Sequence, residues 1–83
     1  MPLKKAWRSL ERSTVGRAPD RYGLYELGDE DGTVLEVGTG VLPDELKTAL
    51  AYGNAAKVRW EATQTRDQAN ELAKEHRKRL GDP

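Results

Sequence analysis

Few residues of this chain have the side-chain types and spacing that catalysis or metal binding requires. Cysteine is absent, so no thiol nucleophile, thiolate metal site or disulfide can form. No Ser/His/Asp set, phosphate-binding glycine loop or cluster of metal ligands is evident in the sequence. His76 is the only histidine, and a single histidine on the apolar edge of a helix is usually packed and hydrogen-bonded. We therefore predict no metal site and no cofactor.

Lysine and arginine side chains are the other groups in this sequence with a possible binding role, because they can bind phosphate groups. The chain carries 14 lysines and arginines against 14 acidic residues, so its formal net charge is zero. A domain that mainly binds nucleic acid usually has a clear positive excess. This balance lowers the expectation of nucleic-acid binding without excluding it. The candidate contacts for nucleic acid are Lys47, Arg59, Lys74, Arg77 and Lys78.

Residues 22–40 predict a β-hairpin around which the rest of the chain is organised. Two β-prone runs, residues 22–27 and 33–37, flank an acidic turn that ends at Gly32. A three-residue loop with Gly32 in the left-handed region gives a register that collects the apolar side chains on one face. The side chains on that face are Tyr25, Leu27, Leu35 and Val37.

This register has a cost, because it sets Glu26 opposite Glu36. Like charges directly across a ladder destabilise it. The alternating pattern of residues 56–63 predicts a third strand, which carries Lys57 and Arg59 on its polar face. These two cations can offset the repulsion if that strand joins the same sheet. We favour this electrostatic role over ligand binding.

The N-terminal segment predicts a short amphipathic helix over residues 3–12, followed by a linker at residues 13–20. Leu3, Trp7 and Leu10 recur at helical spacing between charged side chains. We expect Trp7 and Leu10 to cap the core, where burying either side chain stabilises the fold by about 1.5–3 kcal/mol. Glycine and proline interrupt the linker.

Two further helices lie after the hairpin, on either side of the third strand. Pro43 suits the first turn of a helix over residues 43–52. Gly53 suits the left-handed conformation of the C-cap of that helix. A capping box that starts at Thr65 begins the last helix, which covers residues 65–80.

The predicted order of elements is α–ββ–α–β–α, an α+β domain with a small three-stranded antiparallel sheet flanked by helices. We predict a single domain over residues 1–83. Residues 1–18 form its N-terminal helix and linker, and residues 19–80 form its core. A chain of this length buries only roughly 60% of its extended surface on folding, so we expect marginal stability.

The distribution of apolar residues bears on location and assembly. No apolar run reaches the roughly 20 residues that span a bilayer, and no apolar segment follows the basic N-terminus as it would in a secretory signal. We therefore expect a cytoplasmic protein that does not bind membranes. A core this small leaves apolar side chains such as Val41 and Tyr52 uncovered, so the sequence also allows a homodimer.

The order of elements and two short motifs resemble the GIY-YIG domain family. In that family a strand carrying Gly-Ile-Tyr is followed by a strand carrying Tyr-Ile-Gly, and then by a helix, a strand and a helix. Here Gly23 and Tyr25 hold the conserved ends of the first motif, and Glu36 and Gly38 hold the ends of the second. The resemblance covers residues 19–80 and implies a GIY-YIG-like fold.

The resemblance also implies where a nuclease site would lie. Active members cut phosphodiesters with the two motif tyrosines, an arginine on the first core helix and a metal-binding glutamate on a later helix. Tyr25 matches the first tyrosine, whereas Glu36 replaces the second. Leu46 and Ala73 stand where the arginine and the glutamate are expected. A phosphodiester transition state gathers negative charge and needs cations or metal aimed at it, so three of the four positions no longer suit this chemistry.

Two functions follow from the resemblance. We expect a non-catalytic GIY-YIG-like module that binds a protein or nucleic-acid partner, with Gly23, Tyr25, Glu36 and Gly38 as a vestigial motif. The alternative is a divergent metal-dependent DNA endonuclease with relocated catalytic residues. That enzyme would combine Tyr25 with Lys47, Arg59 and either Glu71 or Glu36.

Overall fold

The structure is a computed structural model that describes residues 6–79, with side chains up to residue 75. Within that range the protein is a small α+β domain with a four-stranded antiparallel sheet and three helices. The strand order across the sheet is β1-β4-β2-β3. The elements are β1 (Arg8–Ser9), α1 (Arg12–Arg17), β2 (Tyr22–Gly28), β3 (Val34–Val41), α2 (Leu42–Tyr52), β4 (Lys57–Ala62) and α3 (Arg66–Arg79).

β2 is a central strand, and the core is built on both of its faces. Residues 23–28 are all buried, because β3 and β4 flank the strand and helices cover both sides. Successive side chains of a strand point to opposite faces. Tyr25 and Leu27 join a cluster with residues of α1 and α2. Leu24 joins a second cluster with residues of β3 and α3.

α2 and α3 therefore cover opposite faces of the sheet. α2 buries Leu42, Leu46 and Ala49, which recur at helical spacing and face the cluster that contains Tyr25. α3 buries Ala73 in the other cluster. A side chain on α2 and a side chain on α3 consequently lie on different sides of the molecule.

The helices predicted after the hairpin are confirmed, with differences at two helix ends. Pro43 lies in the first turn of α2. Thr65 Oγ1 accepts a hydrogen bond from the backbone N–H of Gln68 at 3.1 Å, as the capping box predicts, whereas the Gln68 side chain accepts from the N–H of Gln64 and not from that of Thr65. Gly53 is the C-cap of α2, but its φ of −93° is not left-handed, and its N–H donates to the carbonyl oxygen of Ala49 at 2.9 Å. This bond continues the helical pattern and removes the need for a left-handed residue.

The N-terminal prediction is wrong within the described residues. Residues 8–9 form β1 and pair with the start of β4. α1 begins at Arg12, the last residue of the predicted helix, and continues through the segment predicted as a linker. The backbone N–H of Leu10 donates to the carbonyl oxygen of Ala56 at 2.9 Å. Hydrogen bonding to the edge of β4 outweighs the local helical pattern. Residues 3–5 of the predicted helix lie outside the described range.

The hairpin forms as predicted, but its register changes along the strands. Gly32 has a φ of +85°, as the three-residue loop requires. Next to the turn, Gly28 lies opposite Val34 in the predicted register. A bulge between Leu27 and Gly28 then shifts the pairing, so that Leu27 lies opposite Glu36.

The predicted apolar face of the hairpin is therefore wrong. Beyond the bulge Glu26 lies opposite Val37 rather than opposite Glu36. Val37 packs with the α3 cluster, and Leu35 is left 54% exposed. The bulge separates the two glutamates and gives α3 an apolar contact, which explains physically why the predicted register is not adopted.

Among residues 6–79, no helix combines the length and the apolar character that crossing a membrane requires. His76, expected on the apolar edge of the last helix, lies outside the residues whose side chains are described.

Candidate functional site

Tyr25 lies near the centre of the sheet, on the face that α2 covers. It stands opposite Gly38 on β3 and opposite Trp60 on β4. The side chain is buried, with 7% of its surface exposed. Its hydroxyl donates a hydrogen bond to Oε1 of Glu45 on α2 at 3.2 Å. The first motif tyrosine is thus a buried phenol bound to a carboxylate.

Two glycines of β3 make room for this pair. A Cβ atom at Gly38 would overlap the phenol oxygen of Tyr25, and a Cβ atom at Gly40 would lie 2.5 Å from Cγ of Glu45. Gly40 also has a φ of +156°, which side chains rarely allow. Each glycine is needed because a neighbouring side chain occupies the space next to its backbone.

Sequence reasoning did not identify Glu45 as a partner of Tyr25. The signal that could have found it is the Gly-Thr-Gly spacing of residues 38–40. Residues two apart on a strand share a face, so Gly38 and Gly40 lie on the side from which Tyr25 projects. Two glycines on one face of a strand indicate that a side chain from another element fills the space beside them.

Gly23, the first residue of the motif, has a packing role. A Cβ atom there would lie 2.6 Å from the backbone oxygen of Glu61 and 2.8 Å from Cδ1 of Leu42. β4 and the start of α2 both approach this part of β2 too closely for a side chain. The motif glycines are therefore explained by close packing, without any ligand.

Of the positions that the resemblance assigns to nuclease residues, two lie on the same side of the sheet as Tyr25 and one does not. Leu46 belongs to the same core cluster as Tyr25, but it is fully buried and apolar. Glu36 lies two residues before Gly38 on β3 and is exposed. Ala73 is 1% exposed and belongs to the cluster on the opposite face of the sheet. The structure brings Tyr25 together with Glu45 and separates it from the position of the expected metal ligand.

The chemistry open to this pair is limited. Among the side chains that the structure describes, no group of three or more His, Cys, Asp or Glu is placed to hold a metal ion. The group that faces the Tyr25 hydroxyl is a carboxylate, whereas phosphodiester cleavage needs positive charge near the reacting phosphate. A phenol donating to a carboxylate joins α2 to the sheet, and this structural role accounts for the geometry.

The predicted nucleic-acid contacts do not form one surface in the described part of the chain. Lys47 is exposed on α2 and Lys74 is exposed on α3, so they lie on opposite faces of the sheet. Arg59 is engaged inside the domain, where its Nε lies 2.6 Å from Oε1 of Glu26. The side chains of Arg77 and Lys78 lie outside the described residues.

Arg59 belongs to a cluster that fastens the N-terminal segment to the sheet. Its guanidinium lies 3.9 Å from the centroid of the Trp7 ring, within the range of a cation–π interaction. The same ring packs against the turn end of the hairpin, because a Cβ atom at Gly28 would lie 2.7 Å from it. Arg59 was expected to offset the charge of Glu26 and Glu36 together, and the structure shows it paired with Glu26 and in contact with Trp7.

A concave surface lies between α1 and α2, and we name it the α1–α2 groove. Its volume is about 870 Å³. Apolar side chains and charges of both signs line it. The lining residues include Arg12, Val15, Asp20, Asp44, Lys47 and Leu50. Sequence reasoning missed this groove, because one of its walls is a helix that was predicted as a linker.

The fold and these sites define a small α+β domain in which a tyrosine–carboxylate contact is enclosed by the core and a groove remains open between two helices. The chain belongs to the family described as Domain of unknown function (DUF7508), whose family model matches residues 1–79. No match was found among the curated proteins or among the solved structures.

Proposed function

We propose that this protein is a non-catalytic binding module with a GIY-YIG-like core, and that its partner is another protein. The order β2, β3, α2, β4 and α3 supports the resemblance, because it follows the strand–strand–helix–strand–helix order of that family. The two motifs stand on paired strands, with Tyr25 opposite Gly38.

One observation supports the proposal that the protein does not cleave phosphodiesters. The positions where a nuclease would place its arginine and its metal-binding glutamate are buried hydrocarbon on opposite faces of the sheet. Leu46 is 0% exposed and Ala73 is 1% exposed. Neither side chain can stabilise the charge of a phosphodiester transition state. The remaining motif residue, Tyr25, donates its hydroxyl to Glu45.

The distribution of basic groups supports a protein partner over nucleic acid. Nucleic-acid binding draws its affinity from several cations that reach the phosphates along one surface. Lys47 and Lys74 lie on different faces, and Arg59 forms an ion pair with Glu26. The formal net charge of the chain is zero.

The alternative, a divergent metal-dependent endonuclease, requires its groups to meet in space. Tyr25 and Lys47 belong to the side of α2, whereas Glu71 is on α3 at the other face. Glu36, the other carboxylate considered, is exposed on β3, and the Tyr25 hydroxyl donates to Glu45 instead. Arg59 forms an ion pair inside the domain. These placements disfavour the enzyme.

A cleavage assay tests the non-catalytic part. Purified protein is incubated with Mg²⁺ or Mn²⁺ and with branched, nicked and single-stranded DNA, beside a Tyr25→Phe variant. We expect every substrate to remain intact with both proteins. Reproducible cleavage by the wild type that the variant lacks would overturn the proposal.

A binding assay tests the class of partner. Fluorescent DNA and RNA oligonucleotides are titrated with the protein at low and at moderate salt. We expect no saturable binding at either salt concentration. Tight binding that weakens steeply with added salt, as counterion release requires, would show instead that nucleic acid is the partner.

A further inference from the structure

The wall that α2 contributes to the α1–α2 groove is one continuous face of the helix. Pro43, Asp44, Lys47, Leu50 and Ala51 line it, and their spacing of one, four, seven and eight positions repeats with the helical period. At 1.5 Å per residue this face is about 12 Å long. The groove therefore extends along nearly the whole of α2.

One end of the groove is acidic. The backbone N–H of Leu42 donates to the carbonyl oxygen of Arg21 at 2.9 Å, which joins the chain just after Asp20 to the first residue of α2. Asp44 lies in the first turn of that helix. Asp20 and Asp44 consequently line the same end of the groove.

The rest of the groove is basic and apolar. Lys47 lies about one turn after Asp44 on α2. Arg12 is the first residue of α1, so it is at the end of that helix that is more distant in sequence from Asp20. Leu50, which is 37% exposed, follows Lys47 on the same face. Among the described residues, none of the four charges that line the groove forms an ion pair, so all four can contact a ligand.

The walls of the groove decide what kind of backbone can occupy it. The backbone N–H and C=O groups of a helix interior are satisfied within that helix, so α2 offers side chains and no open backbone edge. An extended peptide would lose water from its backbone groups without gaining partners, which costs free energy. A helix brings its own backbone hydrogen bonds and can pack its side chains between those of α2.

We propose that the α1–α2 groove binds an amphipathic helix of a partner protein, about two turns long, that lies antiparallel to α2. Its acidic N-terminal half lies beside Lys47 and Arg12, and its basic C-terminal half lies beside Asp44 and Asp20. Acidic residues near the N-terminus and basic residues near the C-terminus are also what the helix dipole favours. Apolar side chains near the N-terminus of the partner helix pack on Leu50, which follows Lys47 on α2.

This inference rests on the proposed function, since it names the surface and the partner chemistry of the same binding module. The two can fail separately. DNA cleavage would remove the proposed function and leave helix binding in place. Failure to bind the helix, with DNA left intact, would remove only the assignment of the groove.

Two synthetic peptides provide the probe. Both are fluorescent, have the same composition and the same leucine stripe, and are held helical by the same side-chain staple. One carries glutamates in its N-terminal half and lysines in its C-terminal half, and the other has these charges exchanged. Fluorescence anisotropy at low salt should give about tenfold tighter binding for the first peptide, because the second sets like charges together.

Variants locate the binding surface. Leu50→Glu should weaken binding of the first peptide by about tenfold, since it places a charge on the apolar contact. Tyr52→Glu is the matched control, because Tyr52 lies on the same helix, is 87% exposed and does not line the groove. Its affinity should equal that of the wild type. Amide chemical shifts should move at Val15 and Ala51 and stay unchanged on α3.

Three results would overturn the inference. The first is equal affinity for the two peptides. The second is an equal loss of affinity in Leu50→Glu and Tyr52→Glu. The third is no binding of either peptide up to about 1 mM.

Discussion

Gly38 and Gly40, two residues apart on β3, leave the space that Tyr25 and Glu45 occupy. Their missing side chains let a phenol lie across one strand and reach a carboxylate on a helix. Close packing alone therefore accounts for glycine at both positions.

Adding a methyl group at Gly38 tests this packing. Gly38→Ala should lower the free energy of unfolding by about 1–3 kcal/mol, because the new Cβ atom overlaps the Tyr25 ring inside the core. Urea unfolding followed by circular dichroism measures the change.

Gly16→Ala is the matched control for that substitution. Gly16 lies in α1, and a Cβ atom there would meet nothing within 4 Å. Alanine should raise stability at this position by about 0.5–1 kcal/mol, because it favours the helix. If Gly38→Ala were as stable as the wild type, the close contact with Tyr25 would be wrong.

At the scale of elements, the hairpin shows which features the sequence determines locally. Its turn could be predicted, because Gly32 and the acidic residues before it act over a few positions. The bulge could not be predicted. It depends on α3, which needs the apolar side chain of Val37, and on β4, which supplies Arg59 to Glu26. Both elements are distant in the sequence.

The carboxylate of Asp29 organises the turn and can be tested directly. It accepts hydrogen bonds from the backbone N–H groups of Asp31 and Thr33, each at 2.9 Å. Asp29→Ala should lower the free energy of unfolding by about 1 kcal/mol. Amide hydrogen exchange at Asp31 and Thr33 should also accelerate.

The neighbouring substitution Glu30→Ala serves as the comparison. Glu30 is exposed in the same turn, and surface substitutions usually change stability by less than about 0.5 kcal/mol. Equal effects of the two substitutions would mean that the Asp29 carboxylate does not hold the turn.

The N-terminal segment shows the same limit of local patterns. Leu3, Trp7 and Leu10 have helical spacing, yet the chain forms a strand at Arg8–Ser9 because β4 offers an edge to pair with.

The candidate site also contains residues that local patterns predict and residues that they do not. Tyr25 and Gly38 could be found from their motif, whereas Glu45 and the α1–α2 groove depend on how α1 and α2 pack onto the sheet.

At the scale of the whole molecule, Trp7 connects the N-terminal segment with the hairpin and the buried ion pair. Trp7→Ala removes the cation–π contact with Arg59 and the packing on Gly28. We expect the free energy of unfolding to fall by about 2 kcal/mol, since a partly desolvated cation–π contact contributes up to about that much. Denaturant unfolding measures the loss.

Tyr52→Ala is the reference for that loss. Tyr52 is also aromatic but is 87% exposed, so its removal should change stability by less than about 0.5 kcal/mol. If Trp7→Ala behaved like Tyr52→Ala, the Trp7 side chain would contribute nothing measurable to the stability of the fold.

The two tryptophans of the sequence are natural fluorescent reporters for separate regions of the molecule. Trp7 lies under the guanidinium of Arg59, beside the buried Glu26. Trp60 has the guanidinium of Arg8 5.3 Å from its ring centroid and packs on the side of α2. With one tryptophan replaced by phenylalanine, the emission of the other would show whether the two layers of the protein melt together or in succession.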